Sequence, residues 1–277
     1  MKILVTGKSG FLARSIKHSF LSKKYNTVFV GREDLSLLNK DQVKTLLSEN
    51  KFDIIFHTAV SGGKRNDIDT SETLDTNLRM FLNLAELKNK DCKLINFCSG
   101  AAFDRRREIN CAKEEEISSR TPDDYYGLSK NIIANYINNF DKTFINLRIF
   151  GCFGKLENDN RFIKNSINNL KNNKNITIFK NKYMDFIYIE DLINILDYFV
   201  VNNSHYKDYN IVYKEKITLY DIAKKITSNL HLDESRIDIL EPGLDSPYTG
   251  SSERIYTLVK NLNYNIDFGI SSMIECF

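Results

Sequence analysis

Residues 2–13 read KILVTGKSGFLA, and this stretch decides the fold class of the chain. The apolar run at 3–5 is short and continuous, which is typical of a buried strand. Gly7 and Gly10 interrupt the run, and from Phe11 onward apolar side chains recur at helical spacing. A buried strand, a glycine turn and a helix in direct succession predict the first unit of a parallel α/β sheet.

The same alternation of strand and helix patterns continues along the chain. Apolar and β-branched runs predict strands at 2–6, 27–30, 53–56, 93–98, 143–147, 176–179, 209–212 and 237–240. Helical spacing of apolar residues predicts helices at 11–21, 41–47, 69–87, 122–140, 158–170, 190–201 and 219–230. This order predicts an α/β protein with a doubly wound parallel sheet.

The turn at residues 6–13 has the composition that a phosphate-binding turn needs. Small residues let the chain turn sharply and let a pyrophosphate approach the backbone. The free N–H groups at the start of the following helix then attract the phosphates. An ordinary strand-to-helix turn is the alternative. The predicted dinucleotide-binding residues here are Gly7, Ser9, Gly10, Phe11 and Leu12.

The end of the second predicted strand bears on which dinucleotide is bound. An acidic residue there accepts a hydrogen bond from the adenosine 2′-hydroxyl, whereas an arginine can hold a 2′-phosphate. The strand runs into Val30-Gly31-Arg32, so Arg32 favours NADP(H). Glu33 and Asp34 follow at once, and they keep NAD(H) open as the alternative.

A tyrosine and a lysine stand four residues apart on the helix predicted at 122–140. This spacing places Tyr126 and Lys130 on one face, one turn apart. A phenol has a pKa of about 10, and a nearby ammonium would lower that pKa, which suits Tyr126 as the proton donor to a carbonyl that receives hydride. Ser99, at the end of the fourth strand, would polarise that carbonyl. Together the three residues predict a catalytic site, although a lone Tyr-x-x-x-Lys pair also occurs on solvated helix faces.

These motifs together resemble the extended short-chain dehydrogenase/reductase superfamily, and within it the epimerase/dehydratase group that modifies sugar nucleotides. The match includes the glycine turn, the Ser99, Tyr126 and Lys130 set, Asn77, and the stretch DFIYIED at 185–191. The stretch REDLSLLN, which follows the second strand, is similar to the corresponding region of GDP-fucose synthase and related 4-keto reductases.

The resemblance implies a Rossmann-like fold with strand order 3-2-1-4-5-6-7 and a smaller C-terminal lobe that binds the substrate. It assigns NAD(P) binding to residues 1–154, to which 185–201 return, and substrate binding mostly to 155–277. It also implies that Asn77 helps to hold the cofactor and that Lys130 reaches the nicotinamide ribose.

Several positions depart from the pattern of the group and narrow the implied chemistry. Ala101 stands where GDP-fucose synthase has a cysteine for epimerisation, and Arg161 falls near the epimerising histidine of the group. Gly100 and Ala101 replace the acidic pair of the 4,6-dehydratases. Neither alanine nor a permanently protonated arginine can exchange protons, so epimerisation at C5 and dehydration are not expected. Met184 replaces a phosphate-binding arginine, and Arg254 becomes the predicted contact of the substrate diphosphate.

The predicted function is therefore NADP(H)-dependent reduction of a 4-keto sugar nucleotide, in the synthesis of surface-polysaccharide sugars. A C4 epimerase that uses NAD is one alternative, because it needs the same three residues. A non-catalytic NAD(P)-binding sensor is the alternative from another class. Members of the group often pair through their two long helices, here 69–87 and 122–140, so a homodimer is expected.

The overall composition argues against several other classes of protein. The 277 residues are 42% hydrophobic, which is enough for a sizeable core. The net charge is +3 and the basic run at 105–107 is short, so no nucleic-acid partner is expected. No apolar run is long enough to cross a bilayer and no signal-peptide pattern precedes the first strand, so we expect a cytoplasmic protein without a membrane partner. The five cysteines and four histidines show no metal-ligand spacing, and no metal is expected.

Overall fold

The computed structural model describes residues 1–64, 68–140, 142–259 and 265–276. The strands in these ranges are β1 (Lys2–Thr6), β2 (Asn26–Val30), β3 (Ile54–His57), β4 (Lys93–Ser99), β5 (Ile109–Ala112), β6 (Phe144–Ile149), β7 (Cys152–Phe153), β8 (Ile176–Asn181), β9 (Ile187–Tyr188), β10 (Asp208–Ile211), β11 (Ile237–Leu244) and β12 (Tyr248–Gly250). The helices are α1 (Phe11–His18), α2 (Leu21–Lys24), α3 (Lys40–Glu49), α4 (Ser71–Leu87), α5 (Tyr125–Asn139), α6 (Phe162–Lys171), α7 (Ile189–Val201), α8 (Leu219–Asn229), α9 (Glu253–Tyr256) and α10 (Ile266–Glu275).

The chain folds into two compact units. The first comprises Met1–Arg106, Lys113–Arg148 and Leu196–Tyr209, and the second comprises Arg107–Ala112, Ile149–Ile195 and Asn210–Phe277. The assignment of cofactor binding to 1–154 with 185–201, and of substrate binding to 155–277, concerns function and stays a prediction. Within the described ranges, no helix combines the length and the apolar character that crossing a membrane requires.

The first unit is built on a parallel sheet, which in the described ranges has six strands in the order β10-β6-β4-β3-β1-β2. The central strands are fully buried apolar runs, as in residues 3–5 and 54–56. Such runs are typical of parallel strands covered on both faces. One face packs against α3, α4 and α5 through Val43, Phe81 and Ile137. The predicted α/β class and doubly wound parallel sheet are confirmed.

The strand order differs from the order that the resemblance implied. β3 pairs directly with β1 and with β4, in the register Thr6 to His57 and His57 to Asn96. Counted along the chain, the sheet strands therefore run 2-1-3-4-5-6, and the implied order 3-2-1-4-5-6-7 is wrong. The cause lies between β2 and α3, where residues 31–39 form turns and the N-cap Asn39. That short connection contains no strand that would flank β2.

Local capping sets the helix ends more tightly than apolar spacing alone predicted. The helix predicted at 122–140 begins only at Tyr125, because the Asp124 carboxylate accepts a hydrogen bond from the Gly127 N–H at 2.7 Å. The helix predicted at 11–21 ends at His18, and the short α2 is a separate element.

In the second unit, the strands pair two by two. β8 pairs with β11, β5 with β12 and β7 with β9, each pair parallel. The buried carboxylate of Asp185 accepts a hydrogen bond from the Gly250 N–H at 2.8 Å and pairs with Lys216 at the same distance. The hydrogen bond from Gly250 fixes the chain that leads into β9 beside β12.

Candidate active site

The carboxyl ends of β1, β3 and β4 share one edge of the sheet, because these strands are parallel and in register. The glycine turn follows β1 at this edge. β2 and β3 lie on opposite sides of β1, so the strand order reverses here. In open α/β sheets, ligands bind at the carboxyl edge where the order reverses. The topology of the first unit thus marks this edge as its binding crevice.

The backbone at Gly7 accepts no side chain. Its φ is +73°, a conformation that residues with a Cβ rarely adopt. A Cβ at this position would lie 2.8 Å from Cα of Ala59, in the loop that follows β3. The Ala59 N–H also donates to the Thr6 hydroxyl at 3.1 Å, which locks the turn and this loop together. The turn is therefore a backbone cradle, as pyrophosphate binding requires.

The start of α1 completes this cradle. In the part of the chain that the structure describes, no side chain caps α1, because its N-cap is Gly10. The N–H groups of Phe11 and Leu12 belong to the first turn of the helix, where the helix dipole is positive. Ser9 is exposed in the turn itself. These five predicted residues all lie within residues 7–12, and their geometry fits the diphosphate of a dinucleotide.

Arg32 lies exposed in the turn after β2, where the sequence placed it. The acidic residues beside it are both engaged by Lys8 of the glycine turn. The Lys8 ammonium lies 3.0 Å from the Glu33 carboxylate and 2.7 Å from that of Asp34. The Gly31 N–H also donates to Asp34, at 2.8 Å. Hence both acids that would accept a ribose hydroxyl are held by other partners.

The three predicted catalytic residues come together in the first unit. Ser99 is the last residue of β4, and its hydroxyl is hydrogen-bonded to the phenol of Tyr126. The Lys130 ammonium lies 5.8 Å from the centroid of the Tyr126 ring. Lys130 is only 5% exposed and donates a hydrogen bond to the Phe97 carbonyl at 2.9 Å.

The pKa of Tyr126 moves in the direction opposite to our sequence-based expectation. Burial raises it to about 12, although the hydrogen bond with Ser99 works the other way. The Lys130 ammonium does not reverse this effect, since it is directed at the Phe97 carbonyl, and burial lowers its own pKa. Tyr126 is therefore a neutral phenol at physiological pH, which is the form that can donate a proton.

His57, at the end of β3, supports the same cluster. Its Nδ1 lies 3.0 Å from the Thr6 hydroxyl oxygen. Burial, together with the charge of Lys130, lowers the pKa of His57 to about 3. The imidazole is therefore neutral and adds no second positive charge beside the lysine.

Asn77 is buried on α4, and its side-chain amide forms hydrogen bonds within the protein. It donates to the Ser61 carbonyl at 3.0 Å and to the Ser129 hydroxyl at 3.1 Å. Its side-chain oxygen accepts the Ser61 N–H at 2.8 Å. Asn77 thus fixes the loop after β3 to α4 and α5. Direct contact of Asn77 with a cofactor stays a prediction.

The loop after β3 is a part of the site that sequence reasoning missed. Gly62 and Gly63 have φ values of +75° and +72°. A Cβ on Gly63 would lie 2.7 Å from atoms of the Tyr126 ring, so this backbone packs directly on the phenol. The available signal was the glycine pair shortly after a predicted strand.

The second unit contains Arg254 and a separate cavity. Arg254 is half-exposed on α9. The cavity has a volume of about 480 Å³, and its lining includes Met184, Phe186, Tyr213 and Tyr256. Over the described residues, no group of three or more His, Cys, Asp or Glu side chains is arranged to hold a metal ion.

Comparison with known proteins identifies the family. Residues 3–212 match the model of the NAD dependent epimerase/dehydratase family. The chain belongs to this family. It is accordingly an NAD(P)-dependent enzyme of the short-chain dehydrogenase/reductase type, as the motifs indicated.

The individual relatives are only distantly similar to this chain. GDP-L-colitose synthase of Yersinia pseudotuberculosis is 27% identical over 225 residues, which cover 73% of each chain. The structure of dTDP-glucose 4,6-dehydratase from Bacillus anthracis str. Ames, in complex with NAD, matches with a TM-score of 0.80 at 18% identity, over 99% of this chain and 96% of that one. MlghC, a GDP-mannoheptose C4 reductase from Campylobacter jejuni with NADP bound, matches with a TM-score of 0.79 at 18% identity, over 99% and 97%. The two structural matches show that this epimerase/dehydratase-family chain shares their fold.

Proposed function

We propose that this epimerase/dehydratase-family enzyme uses NADPH to reduce the 4-keto group of a nucleotide-linked sugar, in the synthesis of surface-polysaccharide sugars. The neutral Tyr126 phenol, hydrogen-bonded to Ser99 at the carboxyl edge of the sheet, carries the proposal. Reduction of a ketone requires a proton donor at the oxygen as hydride reaches the carbon. A phenol whose pKa is about 12 is such a donor at neutral pH.

NADPH, when bound, supplies the hydride. On the protein side, the backbone of the glycine turn and the first N–H groups of α1 hold the diphosphate, and Arg32 holds the 2′-phosphate. The pairing of Glu33 and Asp34 with Lys8 supports this preference, because the lysine charge offsets the repulsion between these acids and a 2′-phosphate. NAD(H) is the competing cofactor.

The proton transfer is assigned to three side chains. Ser99 donates a hydrogen bond to the ketone oxygen and polarises it. Tyr126 gives its proton to that oxygen as negative charge develops there. The buried Lys130 ammonium stabilises the phenolate that Tyr126 becomes. Ala101, buried beside Ser99, and Arg161 supply no acid or base for an additional epimerisation.

The nucleotide-linked sugar is proposed to contact Arg254, whose guanidinium suits a diphosphate. The names of GDP-L-colitose synthase and of the GDP-mannoheptose C4 reductase support a substrate of this class. A homodimer formed through α4 and α5, a cytoplasmic location and the absence of a nucleic-acid partner belong to the same proposal. Size measurement in solution tests the dimer.

The decisive experiment is a reductase assay on a substrate panel. The protein is incubated with NADPH and 4-keto sugars linked to GDP, CDP, dTDP or UDP, and absorbance at about 340 nm is followed. NADPH consumption that disappears in Tyr126→Phe but persists in Tyr125→Phe supports the proposal, since Tyr125 is the adjacent, exposed phenol. In a parallel incubation with NAD⁺ and the corresponding 4-hydroxy sugars, interconversion at C4 without net change of the cofactor supports a C4 epimerase instead. Cofactor binding with neither activity across the panel supports a sensor.

A further inference from the structure

We propose that Gly63 and Asp69 position the phenol of Tyr126, and that they do so through a clamped loop after β3. The inference rests on the proposed role of Tyr126 in proton transfer. The loop is Ser61-Gly62-Gly63, between the end of β3 and the start of α4. We refer to it as the glycine-pair loop.

The glycine-pair loop is held at both ends. At Ser61, the N–H and the carbonyl both bond to the side chain of Asn77. At Gly63, the N–H donates to the Asp69 carboxylate at 3.0 Å. A Cβ on Gly62 would lie 2.0 Å from the same carboxylate oxygen, so only glycine lets Asp69 approach this closely. Asn77 of α4 and Asp69 of the segment before α4 thus fix a glycine backbone, which is otherwise the most flexible kind.

The backbone of the fixed loop packs closely against the Tyr126 ring. A Cβ built on Gly63 meets Cε2 and Cζ of Tyr126 at 2.7 Å, and Cζ is the carbon that bears the hydroxyl. The hydroxyl itself is hydrogen-bonded to Ser99. The ring is therefore bounded by loop backbone and by the end of β4, which together define where the proton is delivered. Proton transfer is sensitive to such placement, and a shift of about 1 Å can cost about 100-fold in rate.

Asp69 also acts on the phenol electrostatically. Burial raises the pKa of Tyr126, and so do the Asp69 carboxylate and Cys98 when it is a thiolate. Ser99 and the Arg105 guanidinium lower it. The Lys130 ammonium also lies near the ring, 5.8 Å from its centroid. A negative charge near a phenol disfavours the phenolate, so Asp69 helps to keep Tyr126 protonated. Position and protonation are thus influenced by the same carboxylate.

Fluorine NMR of protein labelled with 3-fluorotyrosine tests this proposal without a substrate. The Tyr126 resonance is assigned by its loss in Tyr126→Phe. We expect Gly63→Ala to shift that resonance at neutral pH, because the new methyl group displaces the ring. Asp69→Ala should shift it as well, since the loop loses its anchor. Asp69→Asn keeps an acceptor for the Gly63 N–H, so the resonance should stay nearly in place while its titration midpoint moves to lower pH.

Matched controls separate this effect from general strain. Gly243→Ala introduces a methyl group at another positive φ, +84°, with no atom within 4 Å, and should leave the Tyr126 resonance unchanged. Asp75→Asn removes an exposed carboxylate from α4 and should leave the titration unchanged. A Tyr126 resonance that responds to Gly63→Ala and Asp69→Ala no more than to Gly243→Ala overturns the proposal.

Turnover supplies the second readout. With whichever panel substrate is reduced, Gly63→Ala should lower kcat about 10-fold or more while the Kd for NADPH stays within about twofold. Asp69→Asn should retain more activity than Asp69→Ala. If no panel substrate is reduced, the proposed function fails, but the NMR result still decides whether Gly63 and Asp69 position the ring.

Discussion

The glycine turn and the Tyr126 cluster lie at the same edge of one sheet, yet they are constructed differently. The turn works through its backbone: the φ of Gly7, its close approach to Ala59 and the first N–H groups of α1, which no described side chain caps. The cluster works through side chains that β4 and α5 bring together. Its key property, a pKa of about 12 for Tyr126, comes mainly from burial. A backbone site can be recognised from a contiguous motif, whereas the acidity of a side chain depends on what surrounds it.

The largest effect should come from removing one hydroxyl in the Tyr126 cluster. Tyr126→Phe should lower kcat about 1,000-fold, because the proton donor is lost while the ring remains. The Kd for NADPH, measured by fluorescence quenching, should stay within about twofold of wild type. A similar loss in both quantities would show that the turn and the cluster are not separable in function.

A substitution in the glycine turn should instead act mainly on NADPH binding. Gly7→Ala places a methyl group 2.8 Å from the Ala59 backbone and forces a rare φ, so it should weaken NADPH binding at least about 10-fold and cost about 1–3 kcal/mol of unfolding free energy. Gly243→Ala is the matched control, because it places a methyl group at another positive φ, +84°, with no atom within 4 Å. Equal losses in the two variants would contradict the close approach of the turn to Ala59.

The pH dependence of the two reaction directions sharpens the comparison further. Because burial holds the Tyr126 pKa at about 12, the phenol stays protonated throughout the neutral range. The proton-transfer step of ketone reduction should thus be nearly independent of pH from about 7 to 9. Oxidation of the alcohol needs the phenolate, whose fraction rises about tenfold per pH unit below the pKa. A plateau of the oxidation rate before about pH 9 would indicate that Lys130 lowers the pKa after all.

The smallest effect is expected from Arg32, in the turn after β2. Arg32→Ala should reduce the preference for NADPH over NADH about 10-fold, because one charge-assisted contact to the 2′-phosphate is lost. Arg79→Ala, which removes an exposed arginine on α4, serves as the control. Unchanged ratios of the two Kd values in Arg32→Ala would remove Arg32 from cofactor selection.

Much of the fold followed from the sequence because its signals are local. The apolar run at 3–5, the glycines after it and the recurrence of such patterns predicted a parallel α/β sheet, and the Tyr126–Lys130 spacing placed both residues on one helix face. Errors arose where apolar spacing carries no signal. Within the described ranges, the outer flank of β2 stays empty because the short connection at 31–39 forms turns, and the start of α5 is set by the Asp124 cap.

The glycine-pair loop shows the same limit within the site. Gly62 and Gly63 are visible in the sequence as a turn signal, but nothing there connects them with a tyrosine on a distant helix. Only the folded chain brings Gly63 against the Tyr126 ring and Asp69 against the Gly63 N–H.

By itself, the sequence determined the six described strands of the parallel sheet, the turn proposed to bind phosphate and the identity of the three side chains proposed to transfer a proton, because spacing and residue type act over a few neighbouring residues. The tertiary structure alone decided the order of the strands, the partners of Asn77 and the direction in which the Tyr126 pKa moves. These depend on burial and on contacts between distant segments, and a phenol removed from water loses more stabilisation of its charged form than Ser99 restores.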